Sequence, residues 1–154
     1  MHSHPIRHCR QCGTTVVYRV PDDGDTRQRA VCPACHTIHY QNPLNVVGTV
    51  PFWGAGDEKV LLCKRNIEPR KGYWTLPAGF MENGESTEAG ALRETYEEAL
   101  ATPENPQLFI IISVPDVHQV HIFYRGILAT PSFGVTPESS EVALFAQHEI
   151  PWDD

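Results

Sequence analysis

Positive charge is scarce in this chain of 154 residues: 12 lysines and arginines stand against 19 aspartates and glutamates, a formal net charge of -7. Such a balance repels a polyanion unless the acids are gathered around bound cations, and no basic cluster interleaved with aromatics offsets it. Long apolar runs are also missing. Nothing approaches the roughly 18–20 consecutive apolar residues that cross a bilayer, and the opening Met1-His2-Ser3-His4-Pro5-Ile6-Arg7 has no apolar signal-peptide centre. Repeats and low-complexity tracts are absent as well. These absences point to a cytoplasmic protein with neither nucleic acid nor membrane as partner.

What is present is enough to build a core. With 41% hydrophobic and 20% charged residues, the composition is that of a globular protein of one ordinary domain, or of one domain plus a small module. Four of the five cysteines form the pairs Cys9-x2-Cys12 and Cys32-x2-Cys35. In a reducing compartment that spacing favours a closed tetrahedral zinc site over disulfides. A four-thiolate shell leaves no open position, so the Zn²⁺ is structural and supplies folding energy to a segment poor in large apolar residues. Cys63, inside Val60-Leu61-Leu62-Cys63, reads as a core residue. His2, His4 and His8 read as solvent-exposed, and His36 and His39 flank the last knuckle without being needed as ligands.

Between the cysteine pairs, Thr14–Val20 and Arg29–Val31 read as a small hairpin around the turn-rich Pro21-Asp22-Asp23-Gly24-Asp25. Asn42-Pro43 closes this module, giving residues 1–43 as one domain and 44–154 as another. Within residues 44–154, Asn45–Trp53 and Glu58–Arg65 read as strands joined through Gly54-Ala55-Gly56-Asp57. Further strands are expected at Gln107–Val114, His118–Ala129 and Glu141–Ala146. Ser86–Leu100 reads as a helix, with Ser86 as N-cap and Glu88 in the first turn.

On that helix the 3.6-residue period groups Ala89, Leu92, Tyr96 and Ala99 on one side and Glu94, Glu97 and Glu98 on the other. Three acids at i, i+3 and i+4 repel one another, and a hard divalent cation among them reverses the sign. The spacing continues upstream as Gly79-x5-Glu85-x7-Arg93-Glu94-x2-Glu97-Glu98.

This pattern resembles the Nudix box, G-x5-E-x7-R-E-U-x-E-E-x-G-U, where U is aliphatic, at six of its seven fixed positions. The resemblance implies an α+β fold, an α/β/α sandwich around a mixed sheet, here preceded by a zinc ribbon. It also implies metal-dependent hydrolysis of a nucleoside diphosphate linked to another moiety. Gly79 through its carbonyl, with Glu94, Glu97 and Glu98, is then expected to hold Mg²⁺ or Mn²⁺. Arg93 and Glu85 are expected to form an ion pair that ties loop to helix. For a general base the family draws on a loop outside the box; Glu141, in Pro137-Glu138-Ser139-Ser140-Glu141, is preferred, with Glu82 as the rival. The seventh fixed residue, a glycine, is Leu100 here. A left-handed cap costs a non-glycine residue roughly 1–2 kcal/mol, so the helix is expected either to run on toward Pro103 or to enter a different loop.

Ile38–Pro43, Cys63–Ile67 and Trp74–Gly79, in ribbon-then-Nudix order, resemble the plant plastid FAD/ADP-ribose pyrophosphatases. That likeness implies release of AMP from ADP-ribose or FAD. Arg65, Arg70 and Lys71 are candidates for phosphate binding, and Phe52, Tyr73 and Trp74 for stacking on a base. The Ser-Gln-Pro-Trp-Pro-Phe-Pro-x-Ser array of NADH-cleaving relatives is absent. Pro115 casts a weak vote for ADP-ribose. Relatives continue into a further helix beyond Asp154, so a missing C-terminal helix is expected, and a homodimer is expected from the family. The competing reading is a nucleic-acid-binding or nucleotide-sensing regulator that uses the ribbon.

Overall fold

The computed structural model describes residues 5–54 and 58–153. His2 and His4, and the turn residues Ala55, Gly56 and Asp57, lie outside the described residues. The chain divides into two compact units, Met1–Pro43 and Leu44–Asp154, and among the described residues no helix is long and apolar enough to cross a membrane.

The first unit is a three-stranded antiparallel sheet of β1 (Val17–Arg19), β2 (Arg29–Val31) and β3 (Ile38–His39). The expected hairpin is β1–β2, in register Val17↔Val31 to Arg19↔Arg29. The two-residue β3 is too short to carry a periodic signal and adds to that expectation. The core of this unit is small: Cys9, Val16, Ala30 and Cys32, with Ile6 packed against them. Sulfur supplies what apolar area does not. The four Sγ atoms of Cys9, Cys12, Cys32 and Cys35 all lie within 4.8 Å of one another, with Cys9–Cys35 at 3.6 Å and Cys12–Cys32 at 3.5 Å. The two knuckles are built alike. The residue after each knuckle's final cysteine, Gly13 (φ 77°) and His36 (φ 60°), is left-handed, and its N–H closes the turn on the carbonyl of Cys9 or Cys32. Four thiolates at this spacing match a zinc shell in donor type and number.

The other unit is a seven-stranded mixed sheet. Its main path runs β10 (Ser139–Phe145), β5 (Lys59–Arg65), β4 (Leu44–Trp53), β9 (Gln119–Ile127), β8 (Glu104–Val114). The short β6 (Trp74–Thr75) pairs with β5 and β7 (Ala78–Phe80) with β4. Among these pairings β4 and β9 run parallel, from Leu44↔Gln119 to Phe52↔Ile127, and the rest are antiparallel. Alternation along β5 gives two cores. Leu61 and Cys63 point to the side of helix α1 (Thr87–Ala99) and pack with Ala99, Ala101 and Leu128. Val60 and Leu62 point to the other side and pack with Val50 and Phe123, flanked by Phe52, Trp74, Leu76 and Phe145. Burial pushes the Cys63 thiol up to about 12, which suits a core residue and not a nucleophile.

Helix α1 starts as expected: the Ser86 hydroxyl accepts from the Ala89 N–H. Its buried face differs from the apolar-period reading. Gly90, Ala91, Glu94, Thr95, Glu98 and Ala99 are buried, whereas Tyr96 is 57% exposed. Small residues win this face because the helix lies close on β4. A Cβ on Gly90 would meet Val47 and the Glu85 carboxylate, and Thr95 reaches Thr49 through a 2.6 Å hydroxyl bond.

The expected departure at the helix end does not occur. Leu100 itself adopts the left-handed cap, φ 52° and ψ 29°, with its N–H on the Tyr96 carbonyl. Gly134 donates its own N–H to the Ala99 carbonyl at 2.8 Å. A Cβ at Gly134 would come within 3.2 Å of the Leu100 Cδ1, so the two residues sit in close contact at the cap.

Leu100→Gly is expected to relieve the left-handed strain and raise stability by about 1 kcal/mol, read from urea unfolding beside Leu100→Ala, which keeps the strain and gains nothing. Chelation is expected to release one equivalent of Zn²⁺ per chain and to collapse amide dispersion for residues 7–41 in NMR while that of residues 44–154 persists. Unchanged ribbon resonances after metal removal would count against a zinc-dependent fold.

Candidate active site

The site is organised by one guanidinium. Arg93 Nε and Nη2 hold the two oxygens of Glu85 at 3.0 and 2.9 Å, so loop and helix are joined by a bidentate fork. Nη2 also donates to the Phe80 carbonyl at 3.2 Å, which ties in β7. Nη1 bridges Glu94 at 2.8 Å and Glu97 at 2.9 Å. Glu85, with the Glu82 N–H and Arg93 both on it, has its carboxyl lowered to about 2, Arg93 being the larger cause. The expected Glu85–Arg93 pair is therefore one half of a larger junction, whose other half orients two of the three helix carboxylates.

Gly79 lies on β7 opposite Val47. A Cβ there would overlap the Glu94 carboxylate, so glycine is what allows Glu94 to rest against the β7 backbone. Glu98, buried to 6% exposure, receives the Ala78 N–H at 3.1 Å. The helix acids thus meet the same short strand from which Gly79 comes. Glu97 is the outermost, with its side chain 52% exposed.

Electrostatics marks this cluster as costly. Burial raises the Glu94 carboxyl above its ordinary range, with Glu97 and Glu138 adding to the effect. Burial, then Glu94 and Glu138, pushes Glu98 up to about 7, opposed by the Ala78 N–H and by Arg65. Crowded, partly buried carboxylates of this kind are stabilised by a cation held among them. The donor set is all oxygen, which suits a hard divalent ion such as Mg²⁺ or Mn²⁺.

The two-residue period of the sheet decides which other expected residues join. Arg65 pairs with Ser139 at the end of β5 and lies close enough to oppose the rise at Glu98. Its Nε is taken by the Pro69 carbonyl at 2.8 Å. Glu141 pairs with Lys64, whose side chain leaves on the face away from the helix, and the two form a 2.8 Å ion pair. The structure therefore does not bring Glu141 to the carboxylates. The acid of that loop whose charge reaches both Glu94 and Glu98 is its neighbour Glu138, and a bulge between Ser139 and Glu141 separates the two. No signal in the sequence locates that bulge. Glu82 stands in the loop before the helix, where its N–H serves Glu85 at 2.7 Å.

Phe52 and Trp74 are also placed away from the helix acids. Both pack in the opposite core, Trp74 edge-on to Phe145 at 4.8 Å and Phe52 under the Arg125 guanidinium at 4.7 Å. Phe52 also lines a cavity of about 1100 Å³ on that side of the sheet. Arg70, Lys71 and Tyr73 are exposed in the loop between β5 and β6, where Arg70 is left-handed, φ 61°.

Known proteins resemble this arrangement. A crystal structure of a NUDIX hydrolase from Nitrosomonas europaea is 50% identical, with a TM-score of 0.87, covering 97% of this chain and 82% of that one. An ADP-ribose pyrophosphatase of Methanocaldococcus jannaschii is 43% identical over 60 residues, 39% of this chain and 36% of its own. The NAD-capped RNA hydrolase NudC of Stutzerimonas stutzeri is 29% identical over 138 residues, 89% of this chain and 46% of its own. The chain thus spans about a third to a half of the length of these two curated relatives. Residues 7–41 match the Nudix N-terminal family. Since the NUDIX domain family matches the whole stretch 43–154 that carries the carboxylate helix and its loop, this chain belongs to the Nudix hydrolases.

Proposed function

We propose that the chain hydrolyses the pyrophosphate bond of a nucleoside diphosphate derivative, ADP-ribose first and FAD after it, and releases AMP. The observation that carries this reading is the junction of Gly79, Glu94, Glu97 and Glu98 around Arg93, an oxygen-only, charge-crowded site open to solvent at Glu97. The name of the Methanocaldococcus jannaschii relative supports ADP-ribose. FAD rests on the resemblance of Trp74–Gly79 and its companion segments alone.

A divalent cation held by Glu94, Glu97, Glu98 and the Gly79 carbonyl supplies Lewis-acid stabilisation of the diphosphate when bound. The remaining roles fall to the chain. Arg93 keeps Glu94 and Glu97 in place through Nη1 and transmits the loop's position to the helix. Arg65 keeps two terminal nitrogens for phosphate oxygens, since its Nε is already used. Glu138 takes the proton of the attacking water, because it is the acid outside the helix whose charge is felt at Glu94 and Glu98. Glu141, bound to Lys64, shapes the back of the strand. Cleavage of NAD-type ends is ranked lower on the missing aromatic-proline array, and nucleic acid on the net charge.

A panel of ADP-ribose, FAD, NADH and a dinucleoside polyphosphate, with Mg²⁺ or Mn²⁺ and chromatographic analysis, is expected to yield AMP and ribose 5-phosphate from the first. Glu97→Gln is expected to lower kcat about 100-fold or more, as loss of a transition-state charge partner does. Glu138→Gln is expected to cost about 100-fold, in the range for a general base, while Glu141→Gln stays near wild type. Equal losses at positions 138 and 141, or no hydrolysis of any diphosphate, would sink the assignment.

The fork has its own pH signature. A carboxyl lowered from 4.5 to about 2 in the fold contributes stability that is fully present above the unfolded value and is lost as pH falls through the folded one. The stability difference between wild type and Glu85→Gln, from urea titrations, is therefore expected to be constant from pH 7 to 5 and to shrink from about pH 4.5 toward 2. A difference that stays flat across that window would show that the fork does not hold the loop in solution.

A further inference from the structure

Glu138 stands in an irregular segment, yet both of its backbone polar groups are tied down. Its N–H is bonded to the Thr136 Oγ1 at 3.2 Å, and its carbonyl accepts the Asn66 N–H at 2.8 Å. Asn66 adds a second bond next door, from Nδ2 to the Pro137 carbonyl at 3.0 Å. Thr136 and Ser139 close the turn on each other, N–H to carbonyl in both directions at 3.1 and 3.2 Å, and Ser139 is buried. A loop that only connects two elements leaves such groups to water. Here a side chain 71 residues away in sequence satisfies one of them. The Glu138 side chain is exposed and is the part of the residue that these bonds leave free.

Both anchors lead back to the acidic site. The last carbonyls of an α-helix have no partner within it. At the end of α1 the Ala99 carbonyl accepts the Gly134 N–H at 2.8 Å, and the Glu98 carbonyl accepts the Thr136 hydroxyl at 3.4 Å, beside the Cys63 thiol at 3.8 Å. Phe133 packs against the core on the helix side. Residues 133–136 are therefore stitched to the last turn of the helix, at the very residue whose carboxylate is one of the three acids. A hydroxyl has one hydrogen to give and two lone pairs to accept with, and Thr136 uses all three: it donates to Glu98 and accepts from the N–H groups of Glu138 and Ser139. Asn66 directly follows Arg65, the last residue of β5. The residue whose charge reaches Glu98 and the residue that grips the Glu138 loop are thus neighbours at one strand end.

We propose that Thr136 and Asn66 are positioning residues for the hydrolysis: between them they fix the Glu138 backbone to the last turn of α1 and to the end of β5, so that its carboxylate stays beside the helix acids. This role rests on the reading of Glu138 as the group that takes the proton of the attacking water. Neither residue touches substrate. Their contribution is placement, and a base displaced by about 1 Å loses much of its effect.

A double-mutant cycle on the full chain tests this, with ADP-ribose and Mg²⁺ at saturation. Thr136→Val keeps the shape of the side chain and removes the hydroxyl; it is expected to lower kcat about tenfold or more while KM moves less than about twofold. Thr136→Ser, which keeps the hydroxyl, is expected to return kcat to within about threefold of wild type. In a Glu138→Gln background the same Thr136→Val change is expected to cost less than about twofold, because the placement of residue 138 no longer matters there. A residue that merely supports the fold costs the same factor in both backgrounds. Asn66→Ser, which spares the backbone bond and loses Nδ2, is expected to follow the same pattern at about three- to fivefold, and it decides the matter if Thr136→Val loses its cooperative melt. Equal losses in the two backgrounds, or unchanged kcat in the variants at 66 and 136, overturn the positioning role and leave Glu138 as the base. Wild-type kcat in Glu138→Gln overturns the base, and the positioning role falls with it.

Discussion

Everything on the acidic side of this molecule depends on the five-bond Arg93 guanidinium. Three anionic side chains and a backbone carbonyl are bonded to it, and they belong to the loop before α1, to β7 and to the helix itself. Burying Glu94 and Glu98 together is unfavourable, as the upward shift of both carboxyls records. Arg93 offsets part of that cost at Glu94 and the Ala78 N–H part of it at Glu98, and the rest is left to a cation. Lysine, a point charge with a flexible stem, cannot keep a bidentate grip on Glu85 and still span Glu94 and Glu97. The junction therefore demands arginine for shape as much as for charge.

A further constraint is the close seat of α1 on β4. Gly90, Ala91 and Thr95 form the contact because nothing larger fits above Val47 and Thr49. That closeness brings Glu94 over Gly79 and Glu98 to the Ala78 N–H. Small residues in the helix and glycine in the strand are two sides of one distance. The same two-faced sheet divides the chemistry. Odd residues of β5 face the helix and even ones face away, so Arg65 lies on the side of the acids while Lys64 pairs with Glu141 on the other.

What the sequence discloses and what it hides follow from this geometry. The strands β4, β5, β8, β9 and β10, the N-cap at Ser86 and the cysteine spacing were legible, because each rests on local pattern. The buried face of α1 was not: apolar periodicity pointed to Tyr96 and Ala89, which are exposed, since the real contact selects size over hydrophobicity. β3, β6 and β7 are only two or three residues long and carry no period to read. The bulge that separates Glu138 from Glu141 is a register feature that depends on how β10 meets β5. Residue type marks Phe52 and Trp74 as candidates for stacking but does not say on which side of the sheet they stand. Strand parity puts both on the side away from the helix.

Leu100 shows how far tertiary packing can override a local rule. A left-handed leucine is strained, and local preference alone would have the helix avoid it. The helix cannot simply continue, because Ala99 and Ala101 are both fully buried against Leu61 and Cys63, and a helical Ala101 would turn about 200° away from Ala99 at 3.6 residues per turn. Only a reversal at position 100 returns the next residue to the same core. The cap is thus set by the need to bury residues on either side of it, and the Gly134 N–H, bonded to the Ala99 carbonyl, holds the chain at that reversal. The left-handed strain at Leu100 is left in place, and a contact from Gly134, far along the chain, keeps the helix end in the family's geometry.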